Sequence, residues 1–471
     1  MVYELLDSLR ESLDLTPRRE GEVECAGADP VFETRFRVGE VAAAVLAACG
    51  IAVGDLWEGR GGRRGRVRID VRAAAAALVS FAALEVAGRD STRRRPPTVG
   101  LYSTGDGGWV YLHGGLPHLH DGLLDLLGCE SSGESIARAV ARLDAQALED
   151  MIAERRLCGA RVRSRAEWAA HPQGRALARA PVLEITRLGA SDPEPLPPGR
   201  RPLEGVRVLD LTRILAGPTC ARTLAEHGAD VLRIHAPHLP TVEPFVQDTG
   251  HGKLSACLDL REPAAAGRLR QLVREADVFS RGYRAGALER LGFSVEELVA
   301  LRPGLVVVSI DCYGHEGPWR ERAGWEQLAQ TVTGILAEQG APGPPRLLPA
   351  AATDYTTGYL AALGAMLALD RRAREGGSYH VRVSLARTAM WLLEVDRAEG
   401  EPCGIDPAWL ARYMRESEGP AGRMRFLGPV LELSETPPYW SRPSVPLGHQ
   451  PPRWPARERD RPATGPPILT G

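Results

Sequence analysis

One carboxylate in this chain has the surroundings of a group that could react. Asp354 stands at the mouth of the small-residue run AAATDYTTGYLAALGAMLAL, residues 350–369. Ala, Leu and Met recur there at helical spacing, which predicts a helix over about Gly358–Leu369. Gly358 and Gly364 leave room for another backbone to come close. Asp is a preferred helix cap and suits the positive end of the dipole, so this stretch alone asks for no more than a capped helix. Other groups with chemical potential are scattered. Lys253 is the single lysine of an arginine-rich chain. The eight cysteines stand singly, with no CxxC pair and no Cys/His cluster at metal-ligand spacing, so reduced, buried thiols are expected and no metal. His113, His118 and His120 gather near the start of a predicted helix, with no acid or cysteine beside them, and read as surface or core histidines.

The elements that must position these groups need more than one domain. A chain of 471 residues exceeds the ~100–200 of a single unit, and 44% hydrophobic with 25% charged residues describes a globular protein. A net charge of -2 gives no electrostatic case for nucleic acid or an anionic membrane. The start, MVYELLDSLRESLDL, carries acids and lacks the apolar core of a signal peptide. The most apolar run, Val41–Val53, falls short of the ~20 residues of a membrane span. A cytoplasmic protein is expected.

Along the chain, Gly39–Val53 predicts a buried helix, followed by a Gly/Arg-rich turn and the alternating strand RVRIDV. The polar stretch RDSTRRRPP marks a boundary. A compact α/β unit begins near Thr98 with a hairpin turning at GDGG, then helices over His120–Leu127, Ser135–Leu143 and Ala147–Arg155. DPEPLPPGRR (Asp192–Arg201) is a Pro-rich linker. Beyond it lies a βαβ opening. Strand Val206–Leu211, a loop with Ala216-Gly217-Pro218, a helix and strand Asp230–Ile234 imply a parallel sheet. No GxGxxG follows the first strand, which speaks against a dinucleotide enzyme. Further units follow, through strands ADVFS and GLVVVSI, to Asp354. The expected divisions are 1–94, a partial and degenerate first repeat; 95–200, a small α/β domain and return segment; 201–395, a Rossmann-like large domain; and 396–471, a return segment and Pro-rich tail. Beyond Ser441 the chain reads as extended or disordered.

The first repeat is inferred from two matched pairs. GRALARAPVLE (Gly174–Glu184) and GRMRFLGPVLE (Gly422–Glu432) agree in spacing. GEVAAAVLAACG with VRIDV resembles GYLAALGAMLAL with VRVSL. Setting Gly39 opposite Gly358 puts Arg35 opposite Asp354, so chemistry is expected of the second copy alone.

The motifs PLEGVRVLDLTRILAGP, HGKLSACLDL, GALERLGFSVEEL and LVVVSIDCYGHEGPW, followed by Asp354 and its helix, resemble class III CoA-transferases of the formyl-CoA and carnitine type in order and spacing. The likeness covers Arg201–Leu393. It implies an α/β fold, a Rossmann-like parallel-sheet large domain with a smaller α/β domain, in an interlocked homodimer. It further implies that CoA passes from an acyl-CoA to a free carboxylic acid, with CoA as co-substrate and no other cofactor. Asp354 takes the place of the family's nucleophile, and ionised at its helix N-terminus it forms a mixed anhydride and then an aspartyl-CoA thioester. By the same resemblance Lys253 and Arg290 contact CoA, Gly282-Tyr283-Arg284 lie beside the nucleotide, Leu215-Ala216 line the thiol end, and Trp325-Glu326 border the reacting centre.

The chain departs from that pattern at RIHAP near His235, at Gly282 in place of asparagine, and at Trp325 in place of tyrosine. After Leu393 there is no small domain and no glycine-rich closing loop. Two other readings stand beside the transferase. One is a 2-methylacyl-CoA racemase, disfavoured because Trp325 cannot serve as a base where that enzyme has histidine. The other is an acyl-CoA-binding protein without catalysis.

Overall fold

An alanine-rich segment that is apolar on every side is stable only if covered on every side. The computed structural model, which describes residues 1–13, 15, 19–88 and 95–456, meets that condition at once. Strand β1 (Val23–Ala26), helix α1 (Val38–Gly59) and strand β2 (Val67–Asp70) form the first unit, with β1 and β2 parallel. Helix α1 is long and apolar enough to cross a membrane, and 89% of its most apolar window is buried within the fold. The run read from sequence was shorter because the helix continues into polar residues at both ends.

Strands β3 (Val99–Ser103), β4 (Trp109–His113) and β5 (Gly159–Arg161) make an antiparallel sheet. Between β4 and β5 lie α2 (Pro117–Leu127) and the helices Gly133–Val140 and Ala145–Glu154. The hairpin turn needs Gly107 at φ +81°. The chain then joins the main sheet early. Strand β6 (Glu184–Gly189) already pairs there, so the domain border lies before the Pro-rich linker. That linker runs along the surface, with Glu194 bridging to Arg302 at 2.5 Å.

The main sheet contains β7 (Arg207–Leu211), β8 (Asp230–His235), β9 (Lys253–Cys257), β10 (Val278–Arg281), β11 (Val306–Asp311) and β12 (Ser378–Ser384), besides β6. Its order is β9-β8-β7-β10-β11-β12-β6, parallel except at β6. The order reverses direction between β7 and β10, and the loops leaving those two strands open a crevice at their carboxyl ends, where such sheets bind ligands. Helices α3 (Ala216–Glu226), α4 (Glu326–Thr333) and α5 (Ala352–Glu375) surround it. Helix α5 packs along both α1 and α3. It starts earlier than predicted and runs on to Glu375, so Asp354 lies inside its first turn. Ala216-Gly217-Pro218, predicted as loop, form the first turn of α3.

Strand β13 (Glu432–Leu433) returns to the first unit and pairs with β2, setting Glu432 opposite Arg68. Glu184 of β6 lies opposite Arg382 of β12. The two similar segments therefore occupy matching registers, each on the other unit's strand. Residues 442–456 are docked, contrary to the sequence reading. Trp454 is buried with its indole N–H on the Leu272 carbonyl at 3.1 Å, and Gln450 accepts from the Ser255 N–H at 2.7 Å. The sequence could not show this because isolated Pro/Arg-rich chain carries no sign of the surface that receives it. Most of RDSTRRRPP and the end of the tail, 457–471, lie outside the described residues.

Candidate active site

The loop after β7 is strained and braced where it enters the crevice. Ile214 has φ +68°, a region that a β-branched residue adopts only when its surroundings impose it. Asp210 accepts from the Thr212 hydroxyl and from its N–H at 3.1 Å, and takes an ion pair from Lys253 at 2.7 Å. The same ammonium donates to the Pro218 carbonyl at 2.8 Å. Lys253 thus ties strand β7 to the first turn of α3. Its ammonium is buried, and desolvation pulls its pKa down to about 7.

This bracing turns the N-terminus of α3 toward α5. The free N–H of Ala216, one of the unpaired donors of a helix start, faces the Asp354 carboxylate. Gly358 permits the approach: a Cβ there would lie 2.5 Å from the Ala216 carbonyl oxygen and 2.8 Å from Thr219 Cβ. Trp325 caps α4 and places Glu326 beside the same carboxylate. The Glu326 carboxylate accepts from Gln330 at 2.6 Å and from the Thr353 hydroxyl at 3.3 Å.

Asp354 and Glu326 are both buried. Burial first, and then the charge of Glu326, hold the Asp354 carboxyl well above the usual carboxylate range, while the Ala216 N–H opposes them. Burial pushes Glu326 up to about 7. The helix terminus that was expected to keep Asp354 ionised is outweighed, because two like carboxyls share one dry pocket.

The pair lies in a cleft of about 960 Å³. Leu215, Ala216, Gly282, Tyr283, Arg284, Trp325 and Glu326, each expected at the site, line it with Asp354. Lys253 and Arg290 do not. Lys253 faces Asp210 in the interior, and Arg290 is exposed on the short 3-10 turn Glu289–Leu291. The reading of sequence missed the far wall, which the first half supplies. Leu116, His118 and Leu119 at the start of α2, and Cys158 before β5, complete the cleft within the same chain. A signal existed in LPHLH, where proline opens a helix with leucines at positions 116 and 119 on one face.

Trp325 is locked from that side. Its ring stacks on His113 at 4.6 Å and 10°, and its N–H donates to Cys158 Sγ at 3.2 Å. His113, His118 and His120 have three separate roles. The first is this buried stacking partner, the second lines the cleft, and the third bonds Thr98 and Ser131. Arg213, Arg284 and His118 share one positive neighbourhood, in which burial and the two guanidiniums lower the His118 pKa. Arg213 also lines an adjoining depression of about 390 Å³ with Arg233 and His235. The guanidiniums of Arg213 and Arg284 suit phosphate oxygens.

Replacing Glu326 by glutamine isolates the effect of the shared pocket. A carboxyl whose folded pKa exceeds its unfolded value binds more protons when folded, so its contribution to stability falls as pH rises from about 4.5 to about 7. Glu326→Gln removes that loss and keeps the acceptor for Gln330. The variant is expected to be more stable than the parent by ~1–3 kcal/mol at pH 8, with no gain at pH 4. Thermal unfolding at both pH values measures it, and an equal gain at both would refute the shared-pocket account.

A profile of CoA-transferase family III matches residues 203–407. An "Acyl-CoA transferase" of Gibberella moniliformis (strain M3125 / FGSC 7600) is 32% identical over 413 residues, 74% of this chain and 72% of that protein. "Acetyl-coenzyme A transferase nodX" of Hypoxylon pulicicidum is 33% identical over 334 residues, 64% of this chain and 56% of that protein. The "Succinyl-CoA--D-citramalate CoA-transferase" of Chloroflexus aurantiacus is 34% identical over 209 residues, 41% of this chain and 52% of that protein. The chain spans little more than half the length of the last two.

Proposed function

The chain belongs to CoA-transferase family III, and from that premise we propose that it moves CoA from an acyl-CoA to a free carboxylic acid with Asp354 as nucleophile. One observation carries the reading: a buried carboxyl facing a helix N-terminal N–H, in the crevice at the switch point of the sheet. An Asp354 oxygen attacks the thioester carbonyl carbon, and the C–S bond breaks to give a mixed anhydride and CoA thiolate. The thiolate attacks the Asp354 carbonyl of that anhydride, forming an aspartyl-CoA thioester and freeing the first acid as its carboxylate. An incoming carboxylate then runs the two steps in reverse. The activation carried by the thioester passes to the anhydride and back, so the sequence of steps needs no ATP.

The raised proton affinity of Asp354 has a place here. The nucleophile is the ionised form, so the pair must lose its proton before attack, and the oxyanion of each tetrahedral intermediate needs donors such as the Ala216 N–H. Arg213, Arg284 and His118 would meet the CoA phosphates. The cytoplasm, where CoA thioesters are handled, remains the proposed location. Intact-mass measurement after mixing with acyl-CoAs, followed by hydroxylamine trapping, tests the reading. A hydroxamate at Asp354 supports it, and CoA binding without any adduct would overturn it.

A further inference from the structure

We infer that the acid exchanged at Asp354 is a monocarboxylic acid with an uncharged, apolar remainder, and not a dicarboxylate. This rests on the function proposed above. The apolar lining of the cleft that holds Asp354 comes from Leu116 and Leu119 at the start of α2, from Ile310 and Cys312 at the end of β11, from Leu385, and from the locked indole of Trp325. Among the described residues, no lysine, arginine or histidine nitrogen stands within 4.0 Å of either the Asp354 or the Glu326 carboxyl. Arg213, Arg284 and His118 line the same cleft. Arg213 and Arg284 act on His118, yet neither is among the groups acting on Asp354 or Glu326. A second carboxylate on the substrate would thus be a third acid in one dry pocket without a counter-ion, a costly arrangement. A branched, aliphatic or aromatic remainder would pack on these apolar side chains.

Steady-state kinetics with acetyl-CoA as donor, and butyrate, isovalerate, benzoate, succinate, malate and oxalate as acceptors, test this. The monocarboxylic acids are expected to exceed the diacids in kcat/KM by about 100-fold or more. Leu119→Arg, which brings a cation to the wall, is expected to narrow that gap. Succinate or malate equal to butyrate in the unaltered protein would overturn the inference while transfer itself stands. Asp354 adducts in the same samples separate the cases, since adducts without preference overturn the substrate class alone. No adduct with any donor overturns both.

A separate observation carries a second proposal. We propose that the unit of α1 and β2 and the unit of α5 and β12 are copies of one element, folded on each other inside a single chain, so that one site per chain works without a second copy. Gly50 of α1 faces Val67 of β2, with a Cβ position 2.7 Å from Val67 Cγ1. Gly364 of α5 faces Val381 of β12 in the same way, at 2.5 Å. Val67 follows Gly50 by the same interval as Val381 follows Gly364, and with no gap the match continues to Arg68 and Arg382. Those arginines lie opposite Glu432 and Glu184, the ends of the two return segments, and each return segment serves the other copy. This spacing replaces the alignment read from sequence and sets Glu40, not Arg35, opposite Asp354. Glu40 is no second nucleophile: it is buried against Arg37 in an ion pair of 2.7 Å.

Sedimentation and activity over a dilution series test the proposal, with the adduct count as a second readout. A monomer whose specific activity is independent of concentration, with one adduct per chain at Asp354, is the expected result. Activity that vanishes as a dimer dissociates, or an adduct at Glu40, would overturn it.

Discussion

Asp354→Asn is expected to abolish transfer, lowering kcat by about 10³-fold or more while CoA binding is retained. Asparagine keeps the volume and can still accept from the Ala216 N–H, so the fold around α5 is not disturbed. What disappears is the carboxylate oxygen that faces the Ala216 N–H. Glu326 is held in a different way, with Oε1 accepting from Gln330 and from the Thr353 N–H and hydroxyl. The variant is also expected to be no less stable than the parent at pH 8. A carboxyl whose proton affinity is raised by folding loses stability as pH climbs through its folded pKa, and asparagine has nothing to lose. Single-turnover assays, hydroxylamine trapping and thermal unfolding at pH 8 decide the matter. Turnover within tenfold of the parent would assign the chemistry to another residue.

The largest effect on stability is expected at Lys253. Its ammonium and the Asp210 carboxylate are both buried, 2.7 Å apart, and the ammonium also holds the Pro218 carbonyl. Lys253→Met leaves a buried carboxylate without its partner, an error that costs ~3–5 kcal/mol. The double variant Lys253→Met with Asp210→Leu removes both charges and is expected to recover most of that loss. Denaturant titration of the three proteins gives the comparison. A single variant as stable as the parent, with only the KM for CoA raised, would restore Lys253 to the ligand.

The comparison of sequence with structure turns on particular residues. The sheet and Asp354 were legible because their signals are local: an apolar strand, a small-residue helix, a turn between them. The wall formed by Leu116, His118 and Leu119 was not, since nothing in a helix of ordinary amphipathic character names the distant surface it will cover. Lys253 was misread for a related reason. Rarity made it conspicuous, but its partner Asp210 lies 43 residues away, in a strand whose sequence gives no sign of what that acid faces. The raised proton affinity of Asp354 was not legible, because a helix terminus can be read from sequence, whereas burial and a second carboxyl packed beside it cannot. The register of the proposed repeat slips when read from sequence, since alanine-rich helices match each other at many offsets. Only the glycine that touches a strand valine fixes the register, and that is a contact in space.

The crossing of the return strands bears on how the protein is made. Strand β2 lies between β1 and β13, and β13 is supplied by residues near 432. A ribosome that has finished the first unit therefore releases a strand with one edge open, and the pairing that closes it waits for nearly the whole remaining chain. Exposed N–H and C=O groups on such an edge invite pairing with neighbouring nascent chains. So long a delay between a strand and its partner makes final closure slow. Yield on expression is therefore expected to depend on elongation rate and chaperone supply.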